Sequence, residues 1–305
     1  MAQEPNRREF LKFGAALAGA GGLSSAYASV FALGAERLAE GLPLVAWLQG
    51  QACSGCSVSL LNADPPGIWE AITRQFCLAF HPTVSFAQGR QAIEIIEKVR
   101  QGPRPFILVL EGAIPVEMPQ ACLIGGRRLS DVVIPLLRRA QFVVGAGTCA
   151  SYGGIPSAEG NVTGAKSVAE FAAGEKIAMQ GRLVNCPSCP CHPAELLGTL
   201  AHLAGKGYPE VKPDTFVPTM YSSVCLHYSC PRLPQFNARQ FAMSFGDGDG
   251  CLYQLGCRGH DVYADCERHR WNGEVNSCIQ ASAPCIGCNQ PTFAKARSYP
   301  FYNKG

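Results

Sequence analysis

Residues 47–62 read WLQGQACSGCSVSLLN. An apolar run over 44–48 ends at Gly50, two cysteines follow at C-x-x-C spacing, and a helix-compatible segment begins at Ser57. The pattern predicts strand, tight loop and helix, with Cys53 and Cys56 in the loop at the carboxyl end of the strand. Ligands of open α/β sheets bind at that end, where strand ends and helix amino termini converge. Backbone N–H groups at such a turn favour an anionic guest, and a thiolate-ligated cluster is one. A C-x-x-C pair alone admits a redox dithiol, half a zinc site or two corners of an iron–sulfur cluster.

Outward from this stretch the chain alternates strand-like and helix-like runs. Candidate strands lie at 44–48, 106–110, 142–144 and 183–184, and candidate helices at 67–75, 87–100, 130–139, 168–173 and 194–204. Such alternation predicts a doubly wound parallel sheet, here over residues 44–215. The strands run into loops that carry chemistry: Cys53 and Cys56, then Glu111 to Pro115, then Gly147-Thr148-Cys149, then Cys186 to Pro193 with Cys189 and Cys191. Cysteines at successive strand ends meet in space although distant in sequence, which predicts one metal site on the carboxyl edge. From residue 216 to 305 helical periodicity fades and glycine and proline punctuate often. His227-x-x-Cys230, Cys251-x5-Cys257, Cys266, Cys278 and Cys285-x-x-Cys288 crowd into this second domain. A segment so poor in regular structure is expected to draw stability from metals.

Composition narrows the chemistry. A net charge of +3, with no basic run interleaved with aromatics, argues against nucleic acid. Sixteen cysteines in 305 residues point to disulfides in an exported protein and to metals or redox chemistry in a cytosolic one. Residues 1–28 bear on that choice. Arg7-Arg8-Glu9-Phe10-Leu11-Lys12 precedes a weakly apolar stretch at 13–23 and a small-residue site at Ala26-Tyr27-Ala28. This is the pattern of a twin-arginine export signal, far short of the ~20 apolar residues of a membrane span. That route carries folded, cofactor-loaded proteins, so export need not mean disulfides. The mature protein is expected to be soluble and periplasmic.

Three readings of the cysteines therefore compete. Disulfides leave His227 unexplained, and zinc transfers no electrons and gives no reason for several sites. Iron–sulfur clusters suit thiolate-rich loops, and they accept histidine as a replacement ligand that removes charge and raises the potential.

The twin-arginine leader, WLQGQACSGCS, EGAIP, GTCASYGG, HxxCPRLP, CLYQLGCRG and PCIGC together resemble the small subunit of periplasmic nickel–iron hydrogenases. QGQACSGCSVSLLN with FHPTV at 80–84 looks most like the nickel–iron–selenium branch. The resemblance spans the whole chain and implies a flavodoxin-like domain followed by an irregular cluster domain. It implies a proximal 4Fe–4S cluster on Cys53, Cys56, Cys149 and Cys189, and a distal one on His227, Cys230, Cys251 and Cys257. A medial cluster would use Cys266, Cys285 and Cys288. Cys278 replaces the proline usual at a fourth position, so a 4Fe–4S rather than a 3Fe–4S medial cluster is expected. No hydrogen-splitting residue is expected in this chain: the nickel–iron centre belongs to a large-subunit partner, and a c-type cytochrome is the expected external carrier. The chain departs from the family at the last proximal ligand, where the usual G-C-P-P-x-P becomes Ser188-Cys189-Pro190-Cys191-His192-Pro193. Cys186 and Cys191 therefore stand close enough in sequence to compete with Cys189. Alternatives are a disulfide-stabilised secreted binding protein, or the related cluster subunit of respiratory NADH–quinone oxidoreductase. Glu111 is a candidate for orienting a cluster, lining an interface, capping or salt-bridging. Cys77 and Cys122 read as buried thiols, Trp47 and Trp271 as packing residues, and His81, His202, His260 and His269 as surface or hydrogen-bonding residues.

Overall fold

Five short runs of aliphatic and aromatic residues form the central sheet: β1 Leu44–Gln49, β2 Cys77–Phe80, β3 Phe106–Glu111, β4 Phe142–Ala146 and β5 Leu183–Cys186. The computed structural model describes residues 42–63, 67–222 and 224–295, so the twin-arginine segment lies outside the described residues. All neighbouring strands pair in parallel, in the order β2-β1-β3-β4-β5. This is the flavodoxin-like order, whose direction of winding reverses between β1 and β3. A parallel sheet buried on both faces needs strands that are apolar throughout rather than alternating. β3 meets that demand with all six residues buried.

Seven helices accompany the sheet among the described residues: α1 Gly55–Leu60, α2 Ile68–Arg74, α3 Gly89–Gln101, α4 Leu129–Arg139, α5 Gly147–Tyr152, α6 Val168–Gly174 and α7 Pro193–Gly205. On one face Ile96 of α3, Leu136 of α4 and Phe171 of α6 pack with Leu108 and Val143 of the sheet. On the other, Leu60 of α1, Ala71 of α2 and Leu200 of α7 pack with Trp47, Val109 and Val184. Two sequence expectations change. Residues 77–80 form a fifth strand, which a four-residue run following directly on a helix does not advertise. Residues 147–149 open the helix α5 rather than a loop.

The described residues beyond 216 hold short helical turns and isolated bridges, with helices at Leu233–Asn237 (α8) and Cys266–His269 (α9). Their buried apolar core is small: Leu226, Ala242, Leu252, Leu255, Val262, Ala264 and Ile279, with Cys230, Cys257, Cys266 and Cys285 packed against it. A core of that size leaves much of the ordering entropy of the region unmatched by apolar burial.

Candidate metal centres

The carboxyl edge of the sheet gathers the first group of thiols. Cys53 follows β1, Cys56 lies in the first turn of α1, Cys149 in the first turn of α5, and Cys189 in the turn after β5. Cys149 is within electrostatic reach of Cys189, Cys56 and Cys53, and Cys189 is within reach of Cys56 and Cys53. Small residues keep the space between them open. A Cβ on Gly55 would stand 3.1 Å from the Cys53 sulfur, and one on Gly154 3.1 Å from that of Cys149. At Gly147, φ is +80° and a side chain would collide with the Cys56 sulfur. Burial, aided by the neighbouring thiols, pushes Cys149 up to about 12. A free thiolate is disfavoured here, and the site accepts the charge only when a metal displaces the proton.

Glu111, the last residue of β3, anchors this loop. It is 2 % exposed and has no cation as partner among the described ion pairs. Its Oε1 accepts the N–H groups of Cys56 (3.1 Å) and Ser57 (3.3 Å). Its Oε2 accepts the Trp47 indole N–H (3.0 Å), the Gln49 amide (3.1 Å) and the Ser57 hydroxyl. Those backbone N–H groups are orphan donors of the first turn of α1, so a carboxylate from a neighbouring strand caps the helix that carries Cys56. Of the roles open to Glu111 from sequence, the capping one is what the geometry contains. Trp47 accordingly packs and donates, and His81 is buried, its Nε2 3.0 Å from the Ser57 oxygen. The Thr83 N–H donates to His81 Nδ1, which places the ring proton on Nε2.

The second domain gathers two more groups. Cys266 is within electrostatic reach of Cys288, Cys285 and Cys278, and Cys285 and Cys288 are each within reach of Cys278. Burial pushes Cys288 up to about 12. His227, Cys230, Cys251 and Cys257 line one pocket together with Arg232, Tyr253 and His260. His227 Nε2 is buried without a hydrogen-bond partner, and Phe236 packs edge-on against the ring at 4.6 Å. An orphaned imidazole nitrogen facing three thiols is a donor set that suits a metal. Burial pushes Cys230 up to about 11.

All sixteen cysteines fall within the described residues and none forms a disulfide, so the bridged framework weighed from sequence has no bridge here. Among the described residues no three His, Cys, Asp or Glu converge tightly enough to hold a single metal ion.

The remaining thiols have separate places. Cys191 is fully buried, and its N–H donates to the Cys56 sulfur at 3.4 Å. Cys186 donates to Thr199 Oγ1 at 3.4 Å, and Cys225 to the His260 carbonyl at 3.2 Å. Cys77 is buried and Cys122 half-buried, both against the sheet core. Three contributors had no motif to announce them: Thr148, Ser188 and His192, each beside a cysteine or within three residues of one. The Thr148 hydroxyl donates to the Cys288 carbonyl, and the buried His192 bonds the Arg270 carbonyl and meets the edge of Trp271.

Comparisons with known proteins agree with this arrangement. A family model for the C-terminal part of the NiFe/NiFeSe hydrogenase small subunit matches residues 222–302. One described as "NADH ubiquinone oxidoreductase, 20 Kd subunit" matches residues 53–203, the sheet domain alone. The periplasmic [NiFeSe] hydrogenase small subunit of Desulfomicrobium baculatum is 39% identical, over 97% of this chain and 98% of the relative. The periplasmic [NiFe] hydrogenase small subunit of Solidesulfovibrio fructosivorans is 32% identical, over 98% of this chain and 93% of the relative. A solved structure of the reduced, active [NiFeSe] hydrogenase from Desulfomicrobium baculatum superposes with a TM-score of 0.80 at 38% identity, covering 87% of this chain and 100% of that one. The respiratory-subunit and binding-protein alternatives account for neither the second domain nor these full-length matches. The chain belongs to the small-subunit family of nickel–iron hydrogenases, the electron-transfer subunits of those oxidoreductases, and is more similar to the nickel–iron–selenium relative than to the nickel–iron one.

Proposed function

We propose that this chain relays electrons between the hydrogen-activating centre of a large subunit and an external carrier, by way of three iron–sulfur clusters. Cys53, Cys56, Cys149 and Cys189 hold the proximal cluster; Cys266, Cys278, Cys285 and Cys288 the medial one; His227, Cys230, Cys251 and Cys257 the distal one. When bound, each cluster supplies a one-electron site whose potential follows cluster type, hydrogen bonds to the sulfurs and exposure. The protein's own part is to fix the sulfurs and to exclude water around them. Glu111 holds the helix bearing Cys56, Gly147 leaves its sulfur room, and the small core of the second domain packs directly on four of the cysteines.

What supports the reading is that Cys53, Cys56, Cys149 and Cys189 come within reach of one another at the carboxyl edge of the sheet and that His227, Cys230, Cys251 and Cys257 line one pocket, in one chain of this family. Cys53 is exposed on its own, and Val58 and Leu61 of the helix that follows it are exposed apolar residues. A large-subunit partner lying over that face explains both, with an obligate interface above ~2,000 Å². Periplasmic residence after twin-arginine export, and a c-type cytochrome as acceptor, complete the proposal. No helix among the described residues is long and apolar enough to cross a membrane.

Iron and sulfide analysis of the purified heterodimer tests the reading. Three clusters per chain are expected, and no hydrogen uptake or evolution from this chain loaded with clusters but lacking its partner. Fewer clusters, or hydrogenase activity from the lone chain, overturns it.

A further inference from the structure

Cys191 stands where the family's usual G-C-P-P-x-P carries its second proline. The exchange changes the main chain as well as the side chain, because proline has no N–H to donate. In this chain that N–H donates to the sulfur of Cys56 at 3.4 Å. Both residues are buried, Cys191 completely and Cys56 at 8 % exposure, so water does not compete for the bond.

The contact is held at both ends of Cys191. Its carbonyl accepts the hydroxyl of the buried Ser59 at 2.8 Å. Ser59 lies three residues beyond Cys56 on α1, so the two side chains share one face of that helix. One helix face therefore grips Cys191 through its N–H and through its carbonyl. The helix itself is fixed by Glu111, which accepts the Cys56 N–H at 3.1 Å. Gly147 leaves the same sulfur room, since a Cβ there would collide with it.

A neutral thiol is a weak acceptor, and an amide bond to it contributes little. A sulfur carrying thiolate charge as a cluster ligand accepts more strongly, because the bond is then charge-assisted. We propose that Cys191 is a positioning residue for the proximal centre: its backbone N–H, fixed on the Cys56 sulfur, raises the potential of the cluster held there. The proposal rests on the reading that Cys53, Cys56, Cys149 and Cys189 hold an iron–sulfur cluster. Reduction adds one electron and increases the negative charge on the ligand sulfurs; no bond breaks, and the proton stays on the amide nitrogen. A hydrogen bond that strengthens with that charge favours the reduced state. The Cys191 thiol has no part in the effect, which belongs to the main chain.

The test is a redox titration of the purified heterodimer, followed by electron paramagnetic resonance, for the parent, Cys191→Pro, Cys191→Ala and Ser59→Ala. Cys191→Pro deletes both the N–H and the thiol, whereas Cys191→Ala deletes the thiol alone. The proximal potential is expected to fall in Cys191→Pro and to keep its parent value in Cys191→Ala. Medial and distal potentials should not move in either. Cys191→Ala should show only a lower heat-denaturation midpoint, from the small cavity that the sulfur leaves. Ser59→Ala frees the Cys191 carbonyl and should lower the proximal potential by less than Cys191→Pro does. If Cys191→Pro fails to assemble, Ser59→Ala carries the test. An unmoved proximal potential in whichever variant carries the test overturns the proposal. A fall in Cys191→Ala as large as in Cys191→Pro, or loss of the proximal cluster from Cys191→Ala, assigns the effect to the thiol and overturns it too. A parent enzyme lacking any cluster on the 53/56/149/189 set overturns the ligand reading itself, a result distinct from an unmoved potential.

Discussion

The backbone N–H of Cys285 donates to the sulfur of Cys257 at 3.3 Å. Cys285 belongs to the medial group and Cys257 to the distal one. The hydroxyl of Thr148, beside Cys149, donates to the Cys288 carbonyl and links the loop of the first thiol group to the second.

His227 stands at the outer end of this series, its Nε2 buried and unpartnered beside Cys230, Cys251 and Cys257. His227→Cys should keep the distal cluster and lower its potential, because a charged thiolate replaces neutral imidazole. Reduction of the external acceptor is expected to slow, while hydrogen–deuterium exchange at the nickel–iron centre stays near the parent rate. Loss of both activities along with the protein would show that the histidine is structural.

Glu111 accepts five hydrogen bonds in a buried place, three of them from Trp47, Gln49 and the Cys56 N–H. Glu111→Ala leaves these donors without an acceptor, each at ~1–3 kcal/mol. A loss of about 3 kcal/mol or more is expected from those three together, with proximal iron content falling first. Iron analysis together with chemical denaturation reads both effects. A variant with full iron and unchanged stability would remove Glu111 from the account of Cys56.

Leu61 is 66 % exposed at the end of α1, the helix that carries Cys56 and exposes Val58. An aspartate there would be buried unpaired against a large subunit. Leu61→Asp should weaken assembly by at least ~10-fold. The readout is how much of the large subunit is recovered when this chain is purified. Undiminished recovery moves the docking face elsewhere.

His81 and His192 are both buried, and burial holds each below the ordinary 6.5. Below pH 6.5 the unfolded chain therefore binds more protons than the folded one. The stability tied to the neutral rings is present in full above pH 6.5 and declines as pH falls from there towards the folded values. Each ring contributes a slope of up to ~1.4 kcal/mol per pH unit. The heat-denaturation midpoint should drop between pH 7 and pH 5, and less steeply in the His81→Gln, His192→Gln double variant. Equal slopes in the two proteins would clear these histidines of any part in it.

The legible parts of this molecule are those that leave a periodic or spaced trace. Four of the five strands are short runs rich in Val, Ile, Leu and Phe, and both C-x-x-C pairs and His227-x-x-Cys230 announce themselves. β2 does not, because Cys77–Phe80 is four residues long and begins three residues after α2. Helix α5 hides behind glycines, since Gly147 reads as a loop residue although its positive φ serves clearance of the Cys56 sulfur. Glu111 shows its chemistry only when β3 is set beside β1, where Gln49 and Glu111 are in register. Ser188 and Thr148 are ordinary residues in sequence, and the bonds from Ser188 to Thr148 and from Thr148 to the Cys288 carbonyl join segments 40 and 140 residues apart.

Cys278 decides what kind of centre sits in the middle of the chain. It is within electrostatic reach of Cys285 and Cys288, and Cys266 is within reach of all three. Four thiols allow a fourth iron to be held, where three favour a 3Fe–4S centre of higher potential. Cys278 is exposed as a residue, although desolvation of its sulfur raises it above the ordinary 9.0, a cost that metal ligation removes by taking the proton's place. A spare cysteine would have no reason to share a site with three suitable partners, as Cys77 against the sheet core illustrates. The mildly oxidised heterodimer is therefore expected to lack a stoichiometric, reversibly reducible 3Fe–4S resonance, and Cys278→Pro should create one. With the middle step no longer set far above its neighbours, electrons should pass in either direction with similar ease, so hydrogen evolution in the Cys278→Pro variant should fall more than uptake does. A full 3Fe–4S signal in freshly prepared parent protein, or its absence from an iron-replete Cys278→Pro enzyme, would remove Cys278 from the ligand set.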